Sequence, residues 1–357
     1  MRAVRYDAYG ADPVLVDVPE PVCPDDGVLV RVAATGVCRS DWHAWTGHDP
    51  VPLPMVPGHE YAGTVAAVGP LVTRWRVGDR VTVPFACGCG LCEQCATGDT
   101  HVCPQQTQPG FTGWGSFAEL VAVQAADTNV VALPDALGFV EAAALGCRFA
   151  TSYRAVVTSG GTRSGQHLAV LGCGGVGLSA VMIGVALGAH VVAVDVSPHA
   201  LAAAADLGAT TLDPTGLSPD QVADALRERS GGLGPHVSID ALGSVATMHA
   251  GVLALRPRGR HVQVGLMLAD QSVPPIPMGR IVSLELEVVG AHGMPARDYD
   301  AMLALVADGT LPVGRLVGRT IALDEAGEAL TAMSRPATAS GITVVDLALA
   351  GPSTTAP

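Results

Sequence analysis

Four cysteines crowd one short stretch, Cys89-Gly-Leu-Cys92-Glu-Gln-Cys95 followed by Cys103. Four thiolates at this spacing can close a tetrahedral zinc shell with no open position, which holds a loop in place. Three other readings compete: unligated buried thiols, an iron–sulfur cluster and a zinc-ribbon nucleic-acid module. The successive Cys-x-x-Cys steps weigh against the first. Cys87 lies just outside the set and reads as a bystander. A second group, Cys38, His59 and Cys147, is scattered along the chain and mixes sulfur with imidazole. Such a set can leave one position free for chemistry. Taken alone, each of the three is more readily a core residue than a ligand. Context raises them: Gly36-Val-Cys38-Arg39-Ser40-Asp41-Trp42-His43 packs a thiol, hydroxyl, carboxylate and imidazole together, and Glu60 follows His59 directly.

A glycine-rich turn, Gly172-Cys173-Gly174-Gly175-Val176-Gly177, follows an apolar run and opens a helical one. Gly172 allows a tight turn, Gly174 lets a pyrophosphate approach the backbone, and Gly177 lets the helix pack on the strand. Asp195 ends the next strand, where it can accept from both ribose hydroxyls. No arginine follows within Val196–Ala200 to hold a 2′-phosphate, so NAD is favoured over NADP.

Composition narrows the classes. With 357 residues, two domains are expected. The formal charge of −13 argues against a nucleic-acid partner and against the zinc-ribbon reading. All 20 basic residues are arginine, which excludes a Schiff base, a P-loop lysine and a lysine-assisted tyrosine acid. Hydride transfer here would need a metal as its electrophile. Nine cysteines, an odd number clustered at Cys-x-x-Cys spacing, fit metal binding in a reducing compartment. The N-terminus has no apolar signal core. The uncharged run Val176–Val194 carries Gly184, Gly188 and His190 and reads as a buried helix, turn and strand, not a membrane span. A cytoplasmic protein is expected.

These residues need elements to position them. The first third reads as short strands at Val28–Thr35, Ala62–Val68, Arg80–Val83 and Phe117–Val123, a barrel-like β domain. A helix is expected over Val140–Leu145. From His167 the rhythm turns to strand and helix, with strands at Leu168–Leu171, Val191–Asp195, Thr210–Asp213, Val237–Asp240, His261–Val264 and Leu286–Val289. Helices at Val176–Leu187, His199–Leu207, Pro219–Ser230 and Val245–Leu255 separate the first five, the pattern of a doubly wound parallel sheet. The tail holds helices at Asp298–Asp308 and Asp324–Ser334 and a strand at Ile342–Leu347, and is expected to return to the first domain. Gly351–Pro357 reads as disordered.

The chain resembles the zinc-dependent alcohol dehydrogenases of the medium-chain dehydrogenase/reductase superfamily. The motifs quoted above carry the resemblance, with Val77-Gly78-Asp79-Arg80-Val81 as a further strand signature. It implies an α/β protein: a GroES-like β-barrel catalytic domain (1–148, completed by 292–357) and a Rossmann NAD-binding domain (149–291), with the active site in the cleft between them. It implies two zinc ions per chain, and alcohol dehydrogenase is itself the standard example of a Cys₂His catalytic zinc. Cys38, His59 and Cys147 would hold that zinc, Glu60 would serve as an occasional exchange ligand, and Asp41 would orient the imidazole. Ser40 and His43 would relay the proton. Arg39, Thr151, Val264, Gly265 and Ala291 would join Gly172, Gly174, Gly175, Val176, Gly177 and Asp195 around NAD. Phe85 would line the substrate pocket, with Trp42, Trp45, His48, Trp114 and Met294 as further candidates.

The implied reaction converts a primary or secondary alcohol and NAD⁺ reversibly to the aldehyde or ketone and NADH. A polyol or amino-alcohol dehydrogenase and a non-catalytic zinc/NAD-binding protein are the alternatives. Homo-oligomers are expected, a tetramer before a dimer. Two departures from relatives, Ile342 after Gly341 in place of an arginine and Ala200 in place of a basic residue, imply modest NAD affinity.

Overall fold

A computed structural model describes residues 1–268, 271–335 and 341–349. The expected disorder of Gly351–Pro357 lies outside the described residues. The chain divides into two compact units, the first built from residues 1–150 and the chain after His292, the second from Thr151–His292.

The first unit is a mostly antiparallel sheet with a small ribbon. Strands β1 (Arg2–Arg5) and β2 (Val14–Asp17) form the ribbon, which sequence reading missed. The sheet centres on β3 (Val28–Val37), whose alternating valines point into one apolar interior. Along one edge β3 pairs with β4 (Glu60–Val68), in register Gly36↔Glu60 at the far end. β4 continues to β5 (Arg80–Thr82), β6 (Leu120–Val123) pairs back onto the start of β3, and β7 (Val131–Ala132) pairs with β5.

The second unit holds six parallel strands: β8 (His167–Leu171), β9 (His190–Val194), β10 (Thr210–Leu212), β11 (Val237–Asp240), β12 (Arg260–Gln263) and β13 (Glu287–Gly290). Their order is β10-β9-β8-β11-β12-β13, which is the dinucleotide-binding 3-2-1-4-5-6 order. Most of β8 and β9 and all of β11 are buried, as parallel strands between helices must be. The helix Met278–Leu284, before the last strand, was not anticipated.

After the second unit the chain forms a helix over Tyr299–Ala307, β14 (Val317–Ile321), a helix over Ala326–Ala332 and β15 (Ile342–Asp346). β15 pairs antiparallel with the second half of β3, Thr343↔Val37 to Asp346↔Ala34. The helix expected over Val140–Leu145 is present, in two parts. An α-helix covers Phe139–Ala143, and a π-helical turn over Leu145–Phe149 follows it. Wider π turns cluster at functional positions, and this one carries Cys147.

Candidate active site

The sheet register brings the first two candidate metal ligands together. Cys38 follows the last residue of β3 and His59 precedes the first of β4, so the Gly36↔Glu60 pairing sets both at one end of the two strands. The π-helical turn supplies Cys147, and the Gly146 carbonyl accepts from the Phe85 amide and the Tyr299 hydroxyl, at 3.4 and 3.2 Å. Donor atoms of Cys38, His59, Glu60 and Cys147 then lie within 4.8 Å of one another.

His59 is the clearest test of fit for a metal. It is fully buried, its Nδ1 lies 2.9 Å from Asp41 Oδ1, and its Nε2 is buried without a hydrogen-bond partner. An orphaned buried nitrogen beside two thiols is what a metal ligand looks like before the ion is added. The donor set, two sulfurs and one imidazole, suits zinc. Asp41 is equally buried. Its Oδ1 also accepts from the Gly58 amide at 2.9 Å and its Oδ2 from the Cys38 amide at 3.1 Å. A carboxylate capping the helix Arg39–Thr46 thereby fastens the segments that carry two candidate ligands.

The electrostatics follow from burial and crowding. A hydrogen bond from Cys147 holds the Cys38 thiol well below its ordinary value, and the Cys147 thiol is raised in return. Burial pushes the His59 imidazole down, but the charges of Asp41 and Cys38 outweigh it and hold it well above 6.5. Burial pushes the Glu60 carboxyl up, and the Arg148 guanidinium offsets this only in part. Arg148, directly after Cys147, carries no motif and was missed by sequence reading. It donates to both oxygens of Glu60.

Aromatic rings wall the imidazole. The Phe85 ring lies 6.0 Å and the Phe111 ring 5.0 Å from that of His59. Phe111 was not anticipated. Trp45, a candidate for the pocket, instead belongs to the core, with its indole donating to the Ala11 carbonyl at 2.6 Å. Its neighbours in helix Arg39–Thr46 face differently: Trp42 donates to Ser334 Oγ at 2.8 Å and packs edge-on to His43 and His48. His43 Nδ1 is buried without a partner, and burial, then the His48 charge, lowers its pKa. Arg39 donates to the Met333 carbonyl at 2.6 Å with its guanidinium over Trp42.

The four-cysteine lobe is equally tight. Sγ atoms of Cys89, Cys92, Cys95 and Cys103 fall within 4.8 Å of one another, and Cys92 and Cys103 are 3.6 Å apart. A zinc tetrahedron with about 2.3 Å bonds has edges of about 3.8 Å. Room for this comes from Gly88, where a Cβ would stand 2.7 Å from Cys95 Sγ. Asn129 clamps Gly88 by its amide and carbonyl, at 2.8 Å each.

In the second unit the glycine turn has the geometry of a dinucleotide cradle. Gly172 has φ +92°, and a Cβ on Gly177 would stand 1.8 Å from the Gly172 carbonyl oxygen. A Cβ on Gly174 would meet nothing within 4 Å, so the approach to the helix Gly175–Ala186 is open there. Asp195 Oδ2 accepts from the Cys173 amide at 2.7 Å and Oδ1 from the Ser197 amide at 2.8 Å. Thr151 Oγ1 is buried without a hydrogen-bond partner. Val264 and Gly265 donate their amides to the Asp240 carbonyl, and Ala291 donates to Gln263, so backbone contacts from these three fall to their carbonyls. Asp240, which sequence reading passed over, is buried at the carboxyl end of β11. Its carboxylate accepts from Leu242 and Gly243 amides, Thr247 Oγ1 and Gln263 Nε2. A strand-ending Asp in a parallel sheet was the available signal.

Residues 24–135 match the alcohol dehydrogenase GroES-like domain and residues 175–308 the zinc-binding dehydrogenase domain. An alcohol dehydrogenase of Geobacillus stearothermophilus is 34% identical over 87% of this chain and 90% of its own length. A D-arabitol-phosphate dehydrogenase of Enterococcus avium is 31% identical over 92% of this chain and 93% of its own. Among solved structures, alcohol dehydrogenase TADH from Thermus sp. ATN1 superposes with a TM-score of 0.89 at 30% identity, covering 97% of this chain and 99% of that one. No helix among the described residues is long and apolar enough to cross a membrane. The catalytic-domain and cofactor-domain folds, the donor clusters and these likenesses agree: the chain belongs to the zinc-type alcohol dehydrogenases of the medium-chain dehydrogenase/reductase superfamily, oxidoreductases that act on alcohols or polyols.

Proposed function

We propose that this enzyme oxidises a primary or secondary alcohol to the aldehyde or ketone with NAD⁺, reversibly, using one catalytic and one structural zinc. The observation that carries the reading is the orphaned Nε2 of His59, buried beside Cys38 and Cys147 and walled by Phe85 and Phe111. Cys38, His59 and Cys147 would hold the catalytic zinc, and Cys89, Cys92, Cys95 and Cys103 the structural one. When bound, the metal supplies Lewis acidity at the alcohol oxygen and the nicotinamide accepts the hydride. Ser40 Oγ receives the hydroxyl proton, and His43, kept neutral by burial, passes it toward solvent. Gly172, Gly174, Gly175, Val176 and Gly177 carry the pyrophosphate on open backbone. Asp195 binds the ribose hydroxyls and disfavours a 2′-phosphate. Thr151 Oγ1 and the carbonyls of Val264, Gly265 and Ala291 face the nicotinamide end.

The aromatic wall favours an apolar alcohol chain. The likeness to a polyol-phosphate dehydrogenase keeps a second reading, a polyol substrate, in play. We extend the proposal to a cytoplasmic location and to a homo-oligomer, the latter supported by exposed Val273, Met278 and Val282, which precede the sheet-edge strand β13 in the chain. A panel of aliphatic alcohols, aromatic alcohols and polyols, read by NADH absorbance beside metal analysis, tests the reading. Turnover of apolar alcohols with two zinc ions per chain is expected. Turnover of polyols alone would replace the substrate class, and no turnover with both zincs present would refute the catalytic reading.

A further inference from the structure

Glu60 is fully buried, with a carboxylate oxygen in the same 4.8 Å cluster as the donor atoms of Cys38, His59 and Cys147. One neighbour occupies both of its oxygens. Oε1 accepts from the Arg148 main-chain amide at 2.8 Å and from Nε at 3.0 Å, and Oε2 accepts from Nη2. Arg148 follows Cys147 within the π-helical turn, so one turn presents both the thiolate and the guanidinium that holds Glu60. The backbone reserves the space: a Cβ on Gly36 would stand 2.6 Å from Glu60 Oε2 and 3.0 Å from Arg148 Nη2. With Arg148 in place, the guanidinium cancels the carboxylate and the two thiolates balance a divalent cation. Without it, one negative charge is left over in a buried site, within the same cluster of donor atoms that would hold the metal.

We propose that Arg148 is a positioning residue that binds both oxygens of Glu60 and thereby keeps this carboxylate off the catalytic metal. The donor set then stays at Cys38, His59 and Cys147, and the fourth position stays open to substrate. This rests on reading those three residues as the catalytic metal site. It differs from the family expectation that Glu60 serves as an exchange ligand, because a donor fork here competes for the same oxygens.

Cobalt(II) substituted for zinc in the whole enzyme tests it, since visible d–d absorption reports coordination number. Difference spectra between variants cancel the contribution of the four-cysteine site. Glu60→Gln with Arg148 intact should leave the spectrum unchanged. Arg148→Gln should shift the d–d bands in position and intensity, as a carboxylate oxygen takes the fourth position. Adding Glu60→Gln to Arg148→Gln should restore the wild-type spectrum. The proposal is overturned if Glu60→Gln alone alters the bands, if Arg148→Gln leaves them as in wild type, or if the double variant matches Arg148→Gln. Should Arg148→Gln fail to fold, the Glu60→Gln arm still decides. A wild-type enzyme that takes up one cobalt per chain, with a purely four-thiolate spectrum, would instead sink the underlying metal-site reading.

Discussion

Asp41 Oδ1 lies 2.9 Å from Nδ1 of His59, and both side chains are fully buried. The carboxylate fixes which imidazole nitrogen is left to face the thiols. Its other bonds, to the amides of Gly58 and Cys38, set the backbone on either side. Partners of this kind hold metal affinity as well as geometry. Asp41→Asn should lower zinc affinity at the Cys38 site by about 10–100-fold while sparing the four-cysteine lobe. Competition with a chromophoric chelator measures this; equal retention of both zincs would refute it.

The cysteine lobe should serve stability. Cys103 Sγ accepts from the amides of Cys89 and Gln105, at 3.5 and 3.3 Å, and Arg297 ties the lobe through Asp99 at 3.1 Å. Cys95→Ser should lose one zinc and lower Tm by roughly 5–10 °C, at about 2–4 °C per kcal/mol for a domain of this size. A variant with wild-type Tm that has merely lost turnover would contradict the structural role.

Ser40 sits in the first turn of the helix that begins after Cys38, three residues before His43. Ser40→Ala should cut kcat by about 10²-fold or more with two zincs retained. Stopped-flow proton release alongside metal analysis reads both quantities. Unchanged kcat would remove Ser40 from the relay.

Asp195 accepts from the amides of Cys173 and Ser197, so it shapes the glycine turn, and it is the proposed acceptor for the ribose hydroxyls. Asp195→Ala should weaken NAD binding by about 10–100-fold, the worth of a hydrogen bond to a charged group, and narrow the NAD/NADP preference. Fluorescence titration with NADH and NADPH gives both constants. A wild-type enzyme that prefers NADP would overturn the role assigned to the carboxylate.

Stability should fall in mild acid. Burial, then the neighbouring His190 and Arg256 charges, lowers the His167 pKa, and burial, then Arg256 and His167, lowers that of His236. Because the folded values lie below 6.5, the unfolded chain takes up protons first as pH falls. The stability these residues allow is therefore present above about pH 6.5 and lost as pH drops from there toward the folded values. Urea midpoints across this window should decline, and less steeply in His236→Gln. An identical slope in the variant would rule out this pair as the cause.

Local spacing made much of the molecule legible. The Cys-x-x-Cys steps, the glycine turn with Asp195 one strand later, and the strand–helix alternation from His167 need only nearby residues to be recognised. They map onto the cysteine lobe, the cradle at β8 and the parallel sheet, with element ends shifted by a residue or two. What stayed hidden depends on distant partners. The short strands β1, β2 and β14 carry too little pattern by themselves and exist because a neighbour supplies the ladder. The fate of Trp45 was decided by core packing, against an equally plausible place in a pocket.

The amino-acid sequence by itself determined the available chemistry: thiols, one suitably placed imidazole, a glycine-rich turn, and no lysine anywhere. Only the tertiary structure decided which groups meet. The Gly36↔Glu60 register brings Cys38 to His59, the π-helical turn supplies Cys147, and Arg148 closes on Glu60 from 88 residues away. The physical reason is that a ligand set or a buried ion pair is a property of distances between remote segments, and these follow from strand register and packing, which no local pattern encodes.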